Sequence, residues 1–282
     1  MEIYRFEDIN RFYERSHNYL LSDEAHHCLL LRIIHGLIHS PERYEFPAYL
    51  ALVEANGAII AVAVRTPPYK LVISQVKDFA ALQVIAEDLH NQQALLPGVS
   101  GLVEEAQAFA EIWQRLTGTT YTSGIQMRIH QLSQVQPTAK ASGYLRHADV
   151  GDLDLVLEWF EAFFLEALGF VEEDLQRLVS LQLSKKIIYL WEDIVPVSIA
   201  SGKISTPNGG WIGPVYTPVE YRQKGYATSC VAALSQALLD QGCKNCFLFT
   251  DIANPTSNHI YQTIGYQPVC DWHDYAFENL SC

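Results

Sequence analysis

One stretch constrains this chain more than any other: Gly209 to Leu239, GGWIGPVYTPVEYRQKGYATSCVAALSQALL. The run Trp211 to Tyr216 predicts a strand, and Thr217 to Lys224 a short, turn-rich connection. From about Gly225 the apolar residues Ala227, Cys230, Val231, Leu234, Ala237 and Leu238 recur at three-and-four spacing, which predicts a helix with one core-facing stripe. Gly242 suits the left-handed position that ends such a helix. The connection itself, Arg222-Gln223-Lys224-Gly225-Tyr226-Ala227, sets small residues where backbone must approach something closely, with two cations beside them. A helix N-terminus offers unpaired N–H groups and the positive end of the helix dipole, so the turn is suited to cradle a phosphate.

With a strand before it and a helix after it, Arg222-x-x-Gly225-x-Ala227 resembles the acyl-CoA pyrophosphate loop of the GNAT superfamily of N-acetyltransferases, Gln/Arg-x-x-Gly-x-Gly/Ala. A second stretch agrees. Asn245 to Asp251 reads as a short buried strand, and Asn254-Pro-Thr-Ser-Asn-His-Ile-Tyr261-Gln-Thr-Ile-Gly265-Tyr266 resembles the signature in which an Asn at a strand end leads into a short helix bearing Tyr. The likeness covers residues 144 to 277. It implies an α/β fold, a mixed and mostly antiparallel sheet flanked by helices, and acetyl-CoA as co-substrate. By that resemblance the N–H groups of Gln223, Lys224, Gly225, Tyr226 and Ala227, beside Arg222, hold the pyrophosphate. Val215, Tyr216 and Thr217 pair with the pantetheine arm, Pro214 helps to splay their strand, and backbone N–H groups there polarise the thioester carbonyl. Asn254 contacts the pantetheine or the phosphate side, or else serves as a turn residue. Tyr261 stands near the sulfur as general acid, or else packs.

A length of 282 residues leans to two domains. Before the second domain, Glu24 to His39 reads as a helix, and Tyr49 to Arg65 as a hairpin about Asn56-Gly57. Leu71 to Ser74 reads as a strand, Phe79 to Asn91 and Gly101 to Thr117 as helices separated by a turn at Leu95 to Gly98, and Gly124 to Leu132 as a further strand. This order is similar to the front of a GNAT domain without the phosphate loop; the nearest match, Arg115 to Thr120, follows a helix. Residues 1–141 are therefore expected to form a degenerate, non-catalytic GNAT-like domain, the alternative being an unrelated α/β domain. Gln134 to Ser142 reads as the linker. In the catalytic domain, residues 142–282, a strand covers Tyr144 to Ala148, Asp149 to Asp152 open a helix ending near Leu168, and Glu172 to Lys186 form another. A hairpin follows about Glu192-Asp193, and the last strand, roughly Gln267 to Phe277, completes this domain's sheet.

Net charge is −13, divided as −4 over residues 1–141 and −9 over residues 142–282. Such a surface repels a phosphate backbone, so nucleic acid is not an expected partner, and a cationic acceptor is favoured. With neither a run of about 18 apolar residues nor a basic-then-apolar leader, no membrane partner and a cytoplasmic location are expected; whether the chain forms a homodimer is left open. The six cysteines, Cys28, Cys230, Cys243, Cys246, Cys270 and Cys282, are scattered as reduced thiols would be. Cys243-x-x-Cys246 lacks a second ligand pair, and His35 and His39 lack the Glu of a zinc helix, so no metal is expected.

Acetyl transfer to an amine requires the acceptor to lose a proton, at a cost of about 4.6 kcal/mol at pH 7 for an alkylammonium. Asp251 and Glu161 are the carboxylates considered for that role, each of which reads equally as a solvated or capping group. The reading is an N-acetyltransferase that moves an acetyl group from acetyl-CoA to a primary amine, small or peptide-borne, in a ternary complex. The alternative is an acyl-CoA-binding sensor or assembly protein without turnover.

Overall fold

A computed structural model describes residues 1–169, 171 and 174–278. Glu172, expected to open a helix, and Cys282 lie outside the described residues. Among the described residues, twelve strands and eight helices form one series written twice. The first half runs β1 (Glu2–Arg5), α1 (Ile9–Leu21), α2 (Cys28–His39), β2 (Tyr49–Ala55), β3 (Ala58–Arg65), β4 (Leu71–Ile73), α3 (Ala80–Asn91), β5 (Gly98–Leu102), α4 (Val103–Thr117) and β6 (Thr120–Leu132). The second runs β7 (Tyr144–His147), α5 (Leu153–Leu168), α6 (Leu175–Ser184), β8 (Ile188–Asp193), β9 (Val195–Ile204), β10 (Gly209–Tyr216), α7 (Tyr226–Asp240), β11 (Asn245–Asp251), α8 (Pro255–Ile264) and β12 (Gln267–Glu278). The chain divides into two compact units, Met1–Ile129 with the stretch from Val269 on, and His130–Pro268.

In the first unit the strand order is β1-β2-β3-β4-β5-β12-β6; β1–β2, β2–β3, β3–β4 and β5–β12 pair antiparallel and β4–β5 parallel. The Asn56-Gly57 hairpin forms as expected, with both residues at positive φ (52° and 75°), the geometry of a tight two-residue turn. Ile85, Leu89, Phe109 and Trp113 from α3 and α4 close the core over the sheet. Three elements differ from expectation. The helix expected from Glu24 starts at Cys28, leaving His26 and His27 in a turn after an unforeseen α1. The helix expected from Gly101 starts at Val103, because Gly98–Leu102 is a fully buried strand. Finally β12, expected to complete the second domain's sheet, pairs with β5 of the first unit, Trp272 opposite Leu102 and Tyr275 opposite Val99, and its Tyr275 and Phe277 enter that unit's core.

The second unit orders its strands β11-β10-β9-β8-β7, antiparallel except for the parallel pair β10–β11. The entry to α5 is fixed by a reciprocal cap: Asp149 accepts from Gly151 N–H while Asp152 accepts from Asp149 N–H, at 2.8 and 2.9 Å. Val231, Leu234 and Leu238 of α7 and Tyr261 and Ile264 of α8 share one core with Ile212, Leu248 and Tyr266. A second core joins Val156 and Phe160 of α5 to Leu190 and Ile199. The hairpin of β8 and β9 turns at Ile194, with Glu192 and Asp193 still in the strand.

Candidate functional site

The two parallel strands β10 and β11 pair through Gly209–Asn245, Gly210–Cys246 and Trp211–Phe247, and the pairing stops there. On its other edge β10 keeps β9 as partner up to Tyr216 opposite Ile199, with a register break between Ile212 and Val215. The carboxyl half of β10 therefore has an open edge facing the carboxyl half of β11. Such a parting at the carboxyl ends of parallel strands is where open α/β sheets take their ligands. Pro214, which has no N–H to lend to a ladder, lies in this half. Val215 is half-buried. The Tyr216 carbonyl accepts from Ser198 Oγ at 3.2 Å, and Thr217 Oγ1 shares a 2.8 Å hydrogen bond with the same hydroxyl.

After one short turn at Val219–Tyr221 the backbone is extended at Arg222, left-handed at Gln223 (φ 62°) and left-handed again at Gly225 (φ 79°), and α7 begins at Tyr226. Among the described residues no hydrogen bond is made by the N–H groups of Gln223, Gly225, Tyr226, Ala227 and Thr228; Ser229 N–H is the first to close a helical turn, onto Gly225 O at 3.0 Å. A helix of 15 residues stands behind these donors, with its dipole pointing its positive end at the same place. The space over Gly225 is open: a Cβ there would meet only Ala141 Cβ, at 3.9 Å, within 4 Å.

The side chains of this loop are largely spent on holding it. Arg222 donates from Nε to Thr217 O at 2.8 Å and from Nη2 to Glu166 Oε2 at 2.6 Å, and its guanidinium lies 5.6 Å from the Tyr216 ring. Glu166 raises its pKa further. Lys224 Nζ donates to Glu220 O at 3.0 Å. The Tyr226 hydroxyl donates to Asp193 Oδ2 at 2.6 Å. Ala141 N–H donates to Ser229 Oγ at 2.8 Å.

On the other wall, Asn254 caps α8, its side chain accepting from Ser257 N–H at 3.1 Å. Tyr261, two turns into that helix, is 8% exposed and packs edge-on against Tyr266 with centroids 5.9 Å apart. The two phenols differ. Tyr266 shares a 2.9 Å hydrogen bond with Ser235 Oγ, whereas the Tyr261 hydroxyl makes none among the described residues. Burial, with the nearby Cys230 thiol, pushes the Tyr261 phenol well above its ordinary range, and burial holds that thiol up at about 12. Of the carboxylates considered as bases, Asp251 already accepts from Ala253 N–H at 2.8 Å at the end of β11, and Glu161 is exposed on α5.

Asn258 is not marked as a functional residue by the sequence. Its carboxamide is the hub of the turn from β11 into α8, accepting from Thr250 Oγ1 at 2.6 Å and donating to Asn254 O at 2.8 Å and Asp251 O at 3.1 Å. The only signal in sequence was a second Asn four residues after the first.

The turn from β4 into α3 holds the same place in the first series. There carboxylates take two of the donors, Glu105 Oε1 accepting from Val76 N–H at 3.1 Å and Asp78 Oδ1 from Ala80 N–H at 2.9 Å, and Lys77 N–H goes to the Ile60 carbonyl at 2.9 Å. Glu105 is only 6% exposed. Gly118, within the stretch expected as the nearest match to a phosphate loop, is the left-handed residue that ends α4. Among the described residues no group of three or more His, Cys, Asp or Glu is placed to hold a metal ion, and no described helix is long and apolar enough to cross a membrane.

Residues 196–275, which contain this site, match the family of the FR47-like protein. No curated protein matches the chain in sequence. Among solved structures, a Drosophila protein is similar over 99% of both chains at 14% identity with a TM-score of 0.70. An acetyltransferase of the GNAT family from Colwellia psychrerythraea is similar over 99% of this chain and 100% of its own, at 12% identity and 0.58. A tandem GNAT protein from the clavulanic acid biosynthesis pathway is similar over 100% of this chain and 99% of its own, at 11% identity and 0.57. The fold expected from sequence, two GNAT-like halves in tandem with mostly antiparallel sheets, is the fold found.

Proposed function

We propose that this chain, with the tandem GNAT fold and an FR47-like match over the site, is an N-acetyltransferase that takes an acetyl group from acetyl-CoA and gives it to a primary amine. The observation that carries the reading is the row of unpartnered N–H groups at Gln223, Gly225, Tyr226, Ala227 and Thr228, beside the open ends of β10 and β11. A doubly charged pyrophosphate is the kind of partner such a row needs, each charge-assisted bond contributing about 1.5–3 kcal/mol. Arg222 and Lys224 add positive potential while remaining tied to the loop. The free edge of Val215, Tyr216 and Thr217 is suited to pair with the amides of a pantetheine arm, and Asn254 stands at the far wall.

In the proposed reaction the amine nitrogen bonds to the thioester carbonyl carbon, the carbon–sulfur bond breaks, the departing sulfur takes a proton from the Tyr261 hydroxyl, and the phenolate left behind regains a proton from water. The buried phenol stays protonated throughout the neutral range, so the proton is present when the sulfur leaves. The amine proton goes to water or to a carboxylate such as Glu161; Asp251 is already engaged in its turn. The acidic surface favours a cationic acceptor, and both substrates are bound together before transfer.

The engaged state of Asp251 also favours a second reading, in which acetyl-CoA is bound and not turned over. Release of free thiol from acetyl-CoA in the presence of a panel of primary amines separates the two. Amine-dependent release with the acetylated amine as product is expected; saturable binding with no release would establish the second reading.

A further inference from the structure

We infer that Asn258 is a positioning residue of the proposed transfer, acting through Tyr261; the inference rests on the acetyltransferase reading. Tyr261 has no hydrogen bond of its own among the described residues, so the place of its hydroxyl is set by packing and by the helix that carries it. That helix is short, ten residues from Pro255 to Ile264. Its first turn is fastened to the end of β11 by one carboxamide. Asn258 Oδ1 accepts from Thr250 Oγ1 at 2.6 Å, and Nδ2 reaches Asn254 O at 2.8 Å, Asp251 O at 3.1 Å and Ile252 O at 3.4 Å. The orientation of the amide is fixed by these partners, since three carbonyls need a donor and the threonine hydroxyl can give to the oxygen.

Thr250 is 4% exposed, and His130, wholly buried, stands behind it with Nδ1 at 3.5 Å from Thr250 Oγ1. The clamp thus grips buried strand on one side and the head of α8 on the other. Tyr261 lies three residues beyond Asn258, on the same side of the helix. Without the clamp the helix keeps its cap at Asn254 but loses the bonds that set its rotation and height against β11. A displacement of about 1 Å at a reacting group costs up to about a hundredfold in rate. Binding of the pyrophosphate, which draws on the head of α7, is left alone.

A double-mutant cycle in the full chain tests this. Wild type, Asn258→Ala, Tyr261→Phe and the double variant are compared for amine-dependent thiol release, acetyl-CoA affinity by calorimetry, and thermal unfolding. Asn258→Ala is expected to lower kcat at least tenfold with acetyl-CoA affinity changed less than threefold, and to have no further effect when combined with Tyr261→Phe. Asn258→Asp keeps the acceptor for Thr250 and loses the donors, so an intermediate kcat is expected and serves in place of the Ala variant if that one does not fold. Equal losses from Asn258→Ala with and without Tyr261→Phe, or a kcat unchanged from wild type, would overturn the role. A wild-type chain that releases no thiol with any amine would instead overturn the acetyltransferase reading, and the inference would fall with it.

Discussion

Tyr261 and Tyr266 are both buried and touch edge to face, yet of the two only the Tyr266 hydroxyl is hydrogen-bonded among the described residues. Tyr261→Phe is expected to lower kcat about a hundredfold, roughly 3 kcal/mol on the barrier, with little change in acetyl-CoA affinity, because the O–H is needed only as charge grows on the leaving sulfur. Its pKa is raised, so the phenol remains protonated from about pH 6 to 9 and kcat should show no tyrosine titration in that window. A steady-state pH profile of both proteins checks this; equal turnover would make Tyr261 a packing residue. At this scale the sequence was legible where a residue acts through its own type at a fixed spacing, as at Gly225 and Tyr261. It was silent on Asn258 and Glu105, whose roles depend on partners brought from 8 and 29 residues away.

Among the elements, α7 was readable from end to end because its apolar stripe is strong and glycines at positive φ stand at both ends. By contrast α1 carries polar residues through most of its length, and its buried Ser16 is satisfied by bonding back to Phe12 O at 2.8 Å, a contact invisible to a pattern search. The short β5, GVSGL, has poor strand propensity and becomes a strand because β4 and β12 flank it. Strand β7 is also held by more than its ladder. Arg146 donates to both Asp152 oxygens, at 2.7 and 2.9 Å, and to Glu192, joining the strand to the head of α5 and to β8. The guanidinium lowers the pKa of both carboxylates. Depressed carboxylates lend stability above their ordinary range near pH 4 and lose it as pH falls through their folded values. Arg146→Leu is therefore expected to lower the melting temperature by a few degrees at pH 7 and by much less near pH 2. Calorimetric melts at the two pH values check the sign; an equal deficit at both would mean the loss is one of packing.

At the scale of the molecule the same ten elements occur twice among the described residues, and the two copies of the strand-to-helix turn have gone different ways. One presents five N–H groups that make no hydrogen bond among the described residues, and in the other Glu105 and Asp78 each take a donor. This supports the proposal that the first half is a non-catalytic partner of the second, although the membership of β12 in the first unit was not legible, since a strand's own residues do not say which neighbour it will find. One acetyl-CoA per chain is expected, bound at the head of α7. Calorimetric titration of acetyl-CoA into the full chain and into Gly225→Val tests this most directly. At φ 79° a β-branched residue is strained by about 1–2 kcal/mol, and its side chain fills the open face where a pyrophosphate would lie. A stoichiometry near one with the wild type is expected, and no measurable binding with a variant that still melts cooperatively within several degrees of it. Two sites per chain, or unchanged affinity in the folded Gly225→Val protein, would contradict the cradle at Gln223 to Thr228.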